Sequence, residues 1–206
     1  MSAPMKLIIL DRAGTINEDR DDFVKTVDEW VPIPGALEAI ARLNHAGWHT
    51  VIATNQSGLG RGTFDMSTLN AMHTKMNQLL AKQGGRIDAV FFCPHAPEDA
   101  CNCRKPLPGL FEQIGERFGV DLGLVPVVGD SLRDLQAGAA VGCPPHLVRT
   151  GKGARLDDAQ LGALCAQVPG TIVHDDLAAF AEHMIRQQRK DRVAAGGSES
   201  SLGELD

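Results

Sequence analysis

The chain has 206 residues, of which 43% are hydrophobic and 22% charged, and its formal net charge at pH 7 is -6. This length and composition are ordinary for one soluble globular domain. The acidic balance, without a basic stripe, argues against a nucleic-acid partner, and no apolar run approaches the roughly 20 residues of a membrane span. The first residues also lack a signal-peptide pattern, so we expect a cytoplasmic protein, with a monomer as the default.

Short apolar runs, which we interpret as strands, alternate with segments of helical spacing. The predicted strands are 6–10, 49–53, 89–93, 126–129, 146–148 and 171–173. The predicted helices are 35–46, 66–82, 108–118, 132–141 and 175–189. This alternation is typical of a parallel sheet with helices on both faces, so we predict a three-layer α/β domain over residues 1–190. The polar, small-residue segment 191–206 is predicted to be a disordered tail.

Polar, glycine-containing loops follow three of the predicted strands, where open parallel sheets bind their ligands. Asp11 stands at the tip of the first strand, where a carboxylate can attack phosphorus or simply cap a turn. Thr54 can donate to a phosphate oxygen, and Lys105 supplies a point positive charge. Asp130 and Asp134 offer the hard oxygen ligands that Mg²⁺ prefers. Taken singly, each of these residues is more typical of a solvated loop or a helix cap.

A second group of residues has the chemistry of a metal loop. Cys93 and His95 form one pair separated by a single residue, and Cys101 and Cys103 form another. In an extended segment, residues two apart point to the same side, so the two side chains of each pair can bind the same ion. Three thiolates and one imidazole would make a closed, structural Zn²⁺ site. The alternative is two unrelated turns with buried thiols, which four soft ligands so close together disfavour.

These pieces occur in the order Asp, Thr, Lys, Asp, and in that order the sequence resembles the HAD superfamily from residue 6 to about residue 150. The Cys-x-His and Cys-x-Cys pairs, without a long insertion for a large cap domain, resemble its heptose-bisphosphate and histidinol-phosphate phosphatase group. The segments FFCPH, CRKPLPGLF, VGDSLRDLQAG and LVRTGKG are most similar to members that remove the 7-phosphate of heptose 1,7-bisphosphate in lipopolysaccharide core synthesis.

The resemblance implies a role for each matching residue. Asp11 would be the nucleophile that becomes an aspartyl-phosphate, and Thr54 and Lys105 would hold the transferring phosphoryl group. Mg²⁺ would bind Asp11, the backbone carbonyl of Ala13 and Asp130, with Asp134 as a candidate ligand through water. The residues expected to contact a phosphosugar substrate are Arg12, Asp19, Arg20, Asp21, Asp22, Asn55, Gln56, Ser57, Arg104 and Ser131.

Ala13 departs from the pattern, because HAD phosphatases normally carry an aspartate two residues after the nucleophile. That aspartate protonates the leaving oxygen and then activates water, and a methyl group can do neither. We therefore expect a phosphatase whose activity is strongly reduced. An introduced or recent substitution is favoured because the remaining motif residues are intact. The alternatives are a histidinol-phosphate phosphatase and a catalytically silent phosphosugar-binding protein.

Overall fold

A computed structural model of the chain describes residues 3–197. Its centre is a sheet of six parallel strands in the order β3-β2-β1-β4-β5-β6. The strands are β1 (Leu7–Leu10), β2 (His49–Asn55), β3 (Ala89–Cys93), β4 (Val127–Gly129), β5 (Pro145–Val148) and β6 (Ile172–His174). Among the residues described, the connections add isolated β-bridges but no second sheet, in agreement with the prediction of no large cap domain.

Helices cover both faces of the sheet. They are α1 (Ala36–His45), α2 (Ser57–Gly60), α3 (Met66–Lys82), α4 (Gly109–Phe118), α5 (Leu132–Ala139), α6 (Asp158–Gln167) and α7 (Leu177–Gly197), with short 3-10 turns at Leu122–Leu124 and Gly151–Arg155. One core contains side chains of α1, α3 and α7, and the opposite face packs against α4, α5 and α6. The predicted three-layer α/β architecture is confirmed.

The central strand shows why the sequence forms a sheet buried on both sides. In β1, Ile8 and Leu10 pack into the first core, whereas Leu7 and Ile9 pack into the second. All four are essentially inaccessible to solvent. Burial of each such side chain contributes roughly 1.5–3 kcal/mol. A strand that is buried on both faces therefore appears in the sequence as a continuous run of apolar residues.

Three differences from the predicted elements have physical reasons. Helix α2 has only four residues and contains two glycines, so it leaves no periodic pattern. Helix α6 buries only Leu164, although its Asp157–Gln160 capping box is a sequence signal for a helix start. Helix α7 continues to Gly197, past the predicted boundary at residue 190, and residues 191–196 are exposed. The rest of the predicted tail lies outside the described residues.

The strand order brings the polar loops together. β1 pairs with β2 on one side and with β4 on the other, all in parallel. The segments that carry Asp11, Thr54 and Asp130 therefore meet at the carboxyl edge of the three central strands. Over residues 3–197, no helix combines the length and apolar character needed to cross a membrane.

Candidate active site

A buried lysine joins two buried carboxylates at this edge of the sheet. Lys105 Nζ donates to Asp11 Oδ1 at 2.8 Å, contacts Asp134 Oδ1 at 2.7 Å, and donates to the carbonyl oxygen of Ala53 at 2.8 Å. These contacts occupy all three donors of the ammonium group. Lys105 is only 2% exposed, so its charge is shielded from water and directed at the two carboxylates. The predicted nucleophile thus has a fixed cation beside it.

The charges of this cluster shift one another's protonation. Burial opposes the charge of Lys105, but Asp11 and Asp134 outweigh it and raise the lysine pKa. Burial likewise opposes the charge of Asp134, but Lys105 holds the pKa of that carboxyl below its usual value. Burial and the charge of Asp134 raise the pKa of Asp11. The positive charge of Lys105 therefore offsets the burial of the Asp134 carboxylate but does not fully offset that of the Asp11 carboxylate.

Asp130 adds a third carboxylate, and within residues 3–197 no side-chain cation makes a hydrogen bond or ion pair with it. Oxygen atoms of Asp11, Asp130 and Asp134 lie within 4.8 Å of one another, and all three residues are buried. Burial, followed by the charges of Asp11 and Asp134, raises the pKa of Asp130 to about 9. Asp130 Oδ2 accepts a hydrogen bond from the backbone N–H of Lys152 at 2.8 Å. A divalent cation bound by oxygen ligands would relieve this repulsion, so the donor set fits Mg²⁺.

The carboxylate predicted to reach magnesium through water has other partners. Asp134 uses Oδ1 for Lys105, and its Oδ2 accepts from the backbone N–H and the hydroxyl of Ser131 at 3.1 and 2.9 Å. Asp134 and Ser131 form the capping box at the start of α5. Asp134 therefore anchors Lys105 to a helix end, which leaves Asp11 and Asp130 as the carboxylates available to a cation.

Glycine 14 lets the nucleophile loop approach Asp130. Its φ is 84°, in the left-handed region, and a Cβ at this position would overlap Asp130 Oδ2. The carbonyl of Arg12 accepts hydrogen bonds from the N–H groups of Thr15, Ile16 and Asn17, which closes the loop tightly. Ala13 lies within this loop, half-buried. Its methyl group offers no proton donor or acceptor.

Side chains at the carboxyl end of β2 and directly after it fix the segment that carries Lys105. Asn55 Nδ2 donates to the carbonyl oxygen of Lys105 at 3.1 Å, and Asn55 Oδ1 accepts from the Lys105 N–H at 3.0 Å. Gln56 Nε2 donates to Thr54 Oγ1 at 3.1 Å, so both Thr54 and Gln56 are ordered at the floor of the site. Asn55 and Gln56 therefore support the site as well as border it.

Arg12 is buried beside the nucleophile without a carboxylate partner among the residues described. Its Nη1 lies 3.2 Å from His73 Nε2, and its Nε has no hydrogen-bond partner. Burial, together with the charge of Arg12, lowers the pKa of His73 to about 4, so the imidazole is neutral and accepts the hydrogen bond. The neutral imidazole adds no negative charge, so the groups that favour the charged form of Arg12 are the nearby carboxylates of Asp11 and Asp19.

A cavity of about 210 Å³ opens above these groups. Of the predicted site residues outside the zinc loop, all but Asp22 border it; they are Asp11, Arg12, Ala13, Asp19, Arg20, Asp21, Thr54, Asn55, Gln56, Ser57, Arg104, Lys105, Asp130, Ser131 and Asp134. The Asp22 side chain is 61% exposed and pairs with Arg20 and Lys25, so the structure does not bring it to the cavity.

Four cavity residues were not predicted from the sequence. They are Phe23, Val24, Arg133 and Lys152. Lys152 follows β5, and its position after a strand was the signal that could have found it. Arg133 stands next to Asp134 in the predicted loop-and-helix motif. Phe23 has a φ of 67°, a conformation that the sequence does not indicate for a phenylalanine.

The four predicted zinc ligands meet in one cluster. Cys93 Sγ lies 3.4 Å from His95 Nδ1 and 3.8 Å from Cys101 Sγ, and Cys103 Sγ lies 3.4 Å from the same imidazole nitrogen. A tetrahedral zinc ion with ordinary bond lengths separates two sulfurs by about 3.8 Å and a sulfur from a nitrogen by about 3.5 Å. The cluster therefore has the dimensions of a closed Zn²⁺ site.

The cysteine loop connects to the cavity on two sides. Its last ligand, Cys103, is followed directly by Arg104 and Lys105. On the other side, the N–H of Gly60 in α2 donates to the carbonyl of Pro94 at 2.9 Å. A Cβ at position 60 would collide with this carbonyl, so glycine permits the close approach. The loop can thus position both Lys105 and the helix that begins at Ser57.

Comparisons with known proteins agree with this architecture. The family model described as HAD-hydrolase-like matches residues 102–180, and the polynucleotide kinase 3 phosphatase model matches residues 6–131. D-glycero-β-D-manno-heptose-1,7-bisphosphate 7-phosphatase of Bordetella bronchiseptica is 58% identical over 183 residues, covering 89% of this chain and 99% of the relative. The enzyme of the same name from Pseudomonas aeruginosa is 52% identical, covering 87% and 98%.

A solved structure extends the similarity to three dimensions. The D,D-heptose 1,7-bisphosphate phosphatase of B. bronchiseptica, in complex with magnesium and phosphate, has a TM-score of 0.84 and 56% identity over 89% of this chain and 99% of that one. The identity extends over almost the full length of these relatives, which are named as phosphatases. The chain therefore belongs to the HAD-superfamily family of D-glycero-D-manno-heptose-1,7-bisphosphate 7-phosphatases.

Proposed function

We propose that this protein is a phosphomonoesterase that acts on the 7-phosphate of D-glycero-D-manno-heptose 1,7-bisphosphate, the reaction for which its relatives are named. The observation that carries the proposal is the buried contact of Asp11 with Lys105, 2.8 Å long, at the tip of the central strand. In this reading the protein is a cytoplasmic monomer, and its substrate is a precursor of the lipopolysaccharide core.

Asp11 is the nucleophile of the proposed reaction. One of its carboxylate oxygens forms a bond to phosphorus, while the bond from phosphorus to the C7 oxygen of the sugar breaks. Water then attacks the aspartyl-phosphate, which releases inorganic phosphate and restores Asp11. Lys105 already contacts Asp11, so it is within reach of a phosphoryl group bound there and can stabilise its charge, with Thr54 as a further donor.

Magnesium fits the two carboxylates that Lys105 does not fully compensate. Asp11 and Asp130, with the backbone carbonyl of Ala13, would hold the ion, while Asp134 keeps Lys105 in place. Bound there, Mg²⁺ supplies the positive charge that offsets repulsion between a carboxylate and an incoming phosphate. The relative whose structure contains magnesium and phosphate supports this assignment.

Ala13 makes the proposed enzyme slow. The leaving oxygen needs a proton and the attacking water must lose one, and the side chain at position 13 provides for neither step. General acid–base catalysis is typically worth about 10²–10⁴ in rate, so we expect a loss of that order. Ala13 also specifically favours a second candidate function, a phosphosugar-binding protein that holds its ligand without turning it over.

The cysteine loop has a structural role in this proposal. Cys93, His95, Cys101 and Cys103 would hold one Zn²⁺ ion as four protein ligands, the set typical of a structural site. Because Cys103 directly precedes Arg104 and Lys105, ligation of this cluster would help to hold the backbone from which both side chains enter the cavity. Loss of zinc is therefore expected to impair the site indirectly.

The substrate assignment is tested by phosphate release from the Ala13→Asp variant in the presence of Mg²⁺. The heptose bisphosphate should be hydrolysed much faster than histidinol phosphate, and Asp11→Asn in the same background should abolish both reactions. Preference for histidinol phosphate would overturn the substrate assignment. If the Ala13→Asp variant hydrolyses neither compound while the unmodified chain binds the bisphosphate, the silent binding protein is the better description.

A further inference from the structure

The 3-10 turn that follows β5, Gly151–Arg155, is fixed against the nucleophile loop. Thr150 Oγ1 donates to the carbonyl oxygen of Gly14 at 2.6 Å, and the N–H of Lys152 donates to Asp130 Oδ2 at 2.8 Å. A Cβ on the glycine that opens the turn would overlap Asp130 Oδ2 and the backbone of Gly14, so the turn packs closely there. It therefore has a fixed position beside the cavity.

Two cations of this turn pair with the segment 19–22, which contributes to the border of the cavity and which we call the rim loop. Lys152 Nζ lies 3.3 Å from Asp19 Oδ2, and Arg155 Nη1 donates to Asp21 Oδ1 at 2.9 Å. In the part of the chain that the structure describes, the remaining ion pairs of the rim loop are with its near neighbours in sequence. The pairs with the turn are therefore the ionic contacts that join the rim loop to the rest of the domain.

The backbone conformation at the end of the rim loop is unfavourable by itself. Phe23, the next residue, has a φ of 67°, and its side chain is 40% exposed. A bulky residue persists in this left-handed region only where the surrounding structure imposes it. Two backbone hydrogen bonds depend on this conformation, because the N–H of Arg20 donates to Asp19 Oδ1 at 2.9 Å and the N–H of Phe23 to the carbonyl of Arg20 at 3.1 Å. The loop thus needs contacts with another element to stay in place.

The rim loop also brings negative charge to the cavity. Asp19 and Asp21 border the space that a phosphosugar would occupy, and unpaired carboxylates there would repel its phosphate groups. Lys152 borders the same space and could contact a ligand directly, whereas Arg155 does not border it. Arg155 therefore reaches the cavity through Asp21, which makes it the better probe of the position of the loop.

We propose that Lys152 and Arg155 are positioning residues, which pair with Asp19 and Asp21 and so hold the rim loop in the conformation that binds a phosphorylated sugar. This inference rests on the proposed function, which places a phosphosugar in this cavity. The side chains of Lys152 and Arg155 are 48% and 60% exposed. Each pair should therefore make a modest contribution that salt screens, and it should affect ligand affinity more than the chemistry at Asp11.

Hydrogen exchange of the unliganded chain, followed by mass spectrometry, tests whether the ion pairs hold the rim loop. Arg155→Gln should speed exchange of the amides of Arg20 and Phe23 about two- to fivefold at low salt, the scale of one exposed ion pair. The difference should shrink in about 0.5 M salt. Arg155→Lys should recover part of the protection because it keeps the charge, and Arg155→Asp combined with Asp21→Arg should restore the pair with its charges reversed.

Binding measurements test whether the position of the loop matters to the ligand. Calorimetry uses the unmodified chain, whose turnover Ala13 slows, with Mg²⁺ and the heptose 1,7-bisphosphate. Arg155→Gln should weaken binding about two- to fivefold at low salt. In the Ala13→Asp background the same change should raise KM by a similar factor and alter kcat less than about twofold.

Arg42→Gln is the matched control. Arg42 is also an exposed arginine in a long-range ion pair, with Glu182 at 2.7 Å, but it joins α1 to α7 and does not border the cavity. Its loss should change neither the exchange of the rim loop nor the affinity.

Unchanged exchange in Arg155→Gln would overturn the positioning role. A loss of affinity without faster exchange would also overturn it, because the charge would then act directly on the ligand. Faster exchange with unchanged affinity would break the link between the rim loop and binding. If the unmodified chain does not bind the bisphosphate, the proposed function fails, while the exchange rates still decide whether the ion pairs hold the loop.

Discussion

Replacement of Lys105 by methionine should destabilise the protein strongly, although it removes only one charge. Methionine keeps the apolar stem of the side chain and loses the ammonium group that contacts Asp11, Asp134 and the carbonyl of Ala53. Two buried carboxylates then remain without their cation. Removal of one partner of a buried ion pair typically costs about 3–5 kcal/mol.

The size of the loss should depend on pH. Without Lys105, the carboxylates of Asp11 and Asp134 can lower their cost by binding protons, so their pKa values in the folded state should lie above those in the unfolded chain. Their contribution then becomes more unfavourable as the pH rises. For a chain of this size, 3–5 kcal/mol corresponds to a Tm lower by about 6–20 °C, with the larger decrease at pH 8 and the smaller at pH 5.

Thermal and urea unfolding of the Lys105→Met variant, in magnesium-free buffer without chelator, measures this loss. Lys152→Met is the matched control, because the Lys152 side chain borders the same cavity but is 48% exposed and forms only a 3.3 Å ion pair with Asp19. We expect the control to change stability little. Equal, small effects of the two substitutions would refute the view that Lys105 compensates buried charge.

Three further predictions concern metals and pH. Protein purified without chelator should contain about one zinc ion per chain by elemental analysis, and Cys101→Ser should lower both the zinc content and the Tm. Full thermal stability of zinc-free protein would contradict a structural role for the ion. Mg²⁺ should raise the Tm more at pH 8 than at pH 6, because burial and two neighbouring carboxylates raise the pKa of Asp130 to about 9 and the proton on Asp130 competes with the cation. Asp130→Asn should remove this pH dependence, and equal Tm shifts at both pH values in the unmodified chain would contradict the competition. Acidification from pH 7 to pH 5 should destabilise the unmodified chain more than a His146→Gln variant, by about 2 kcal/mol. The reason is that burial and the adjacent histidines lower the pKa of His146 to about 3 in the folded state, while the ring in the unfolded chain titrates near 6.5. Parallel pH profiles of the two proteins in urea unfolding would exclude His146 as a source of the acid destabilisation.

The sheet could be predicted because its strands are apolar on both faces. Runs such as Leu7–Leu10 and Ala89–Cys93 stand out from the polar loops that follow them. Helices with a broad apolar face, such as Met66–Lys82, were found with their bounds. Helix α2 could not be found in this way, because two glycines in four residues carry no helical preference and its position depends on the contact with Pro94.

The site could be predicted as a set of residues but not as a set of contacts. Motif order identified Asp11 and Lys105, yet their contact joins residues 94 positions apart, and the contact of Arg12 with His73 spans 61 positions. The role of Asp134 as the anchor of Lys105 follows only from the geometry. The place of Arg133 depends on how α5 meets the cysteine loop, which no local pattern indicates.

Single-turnover phosphate release tests the central claim most directly. The unmodified chain and its Ala13→Asp variant are each mixed, in excess and with Mg²⁺, with the heptose 1,7-bisphosphate. The variant should release phosphate faster by roughly 10²-fold or more, with similar Mg²⁺ affinity, because the carboxylate supplies the missing proton transfer while the carbonyl of residue 13 is retained. Equal rates would mean that another group supplies the proton, and would contradict the role assigned to position 13.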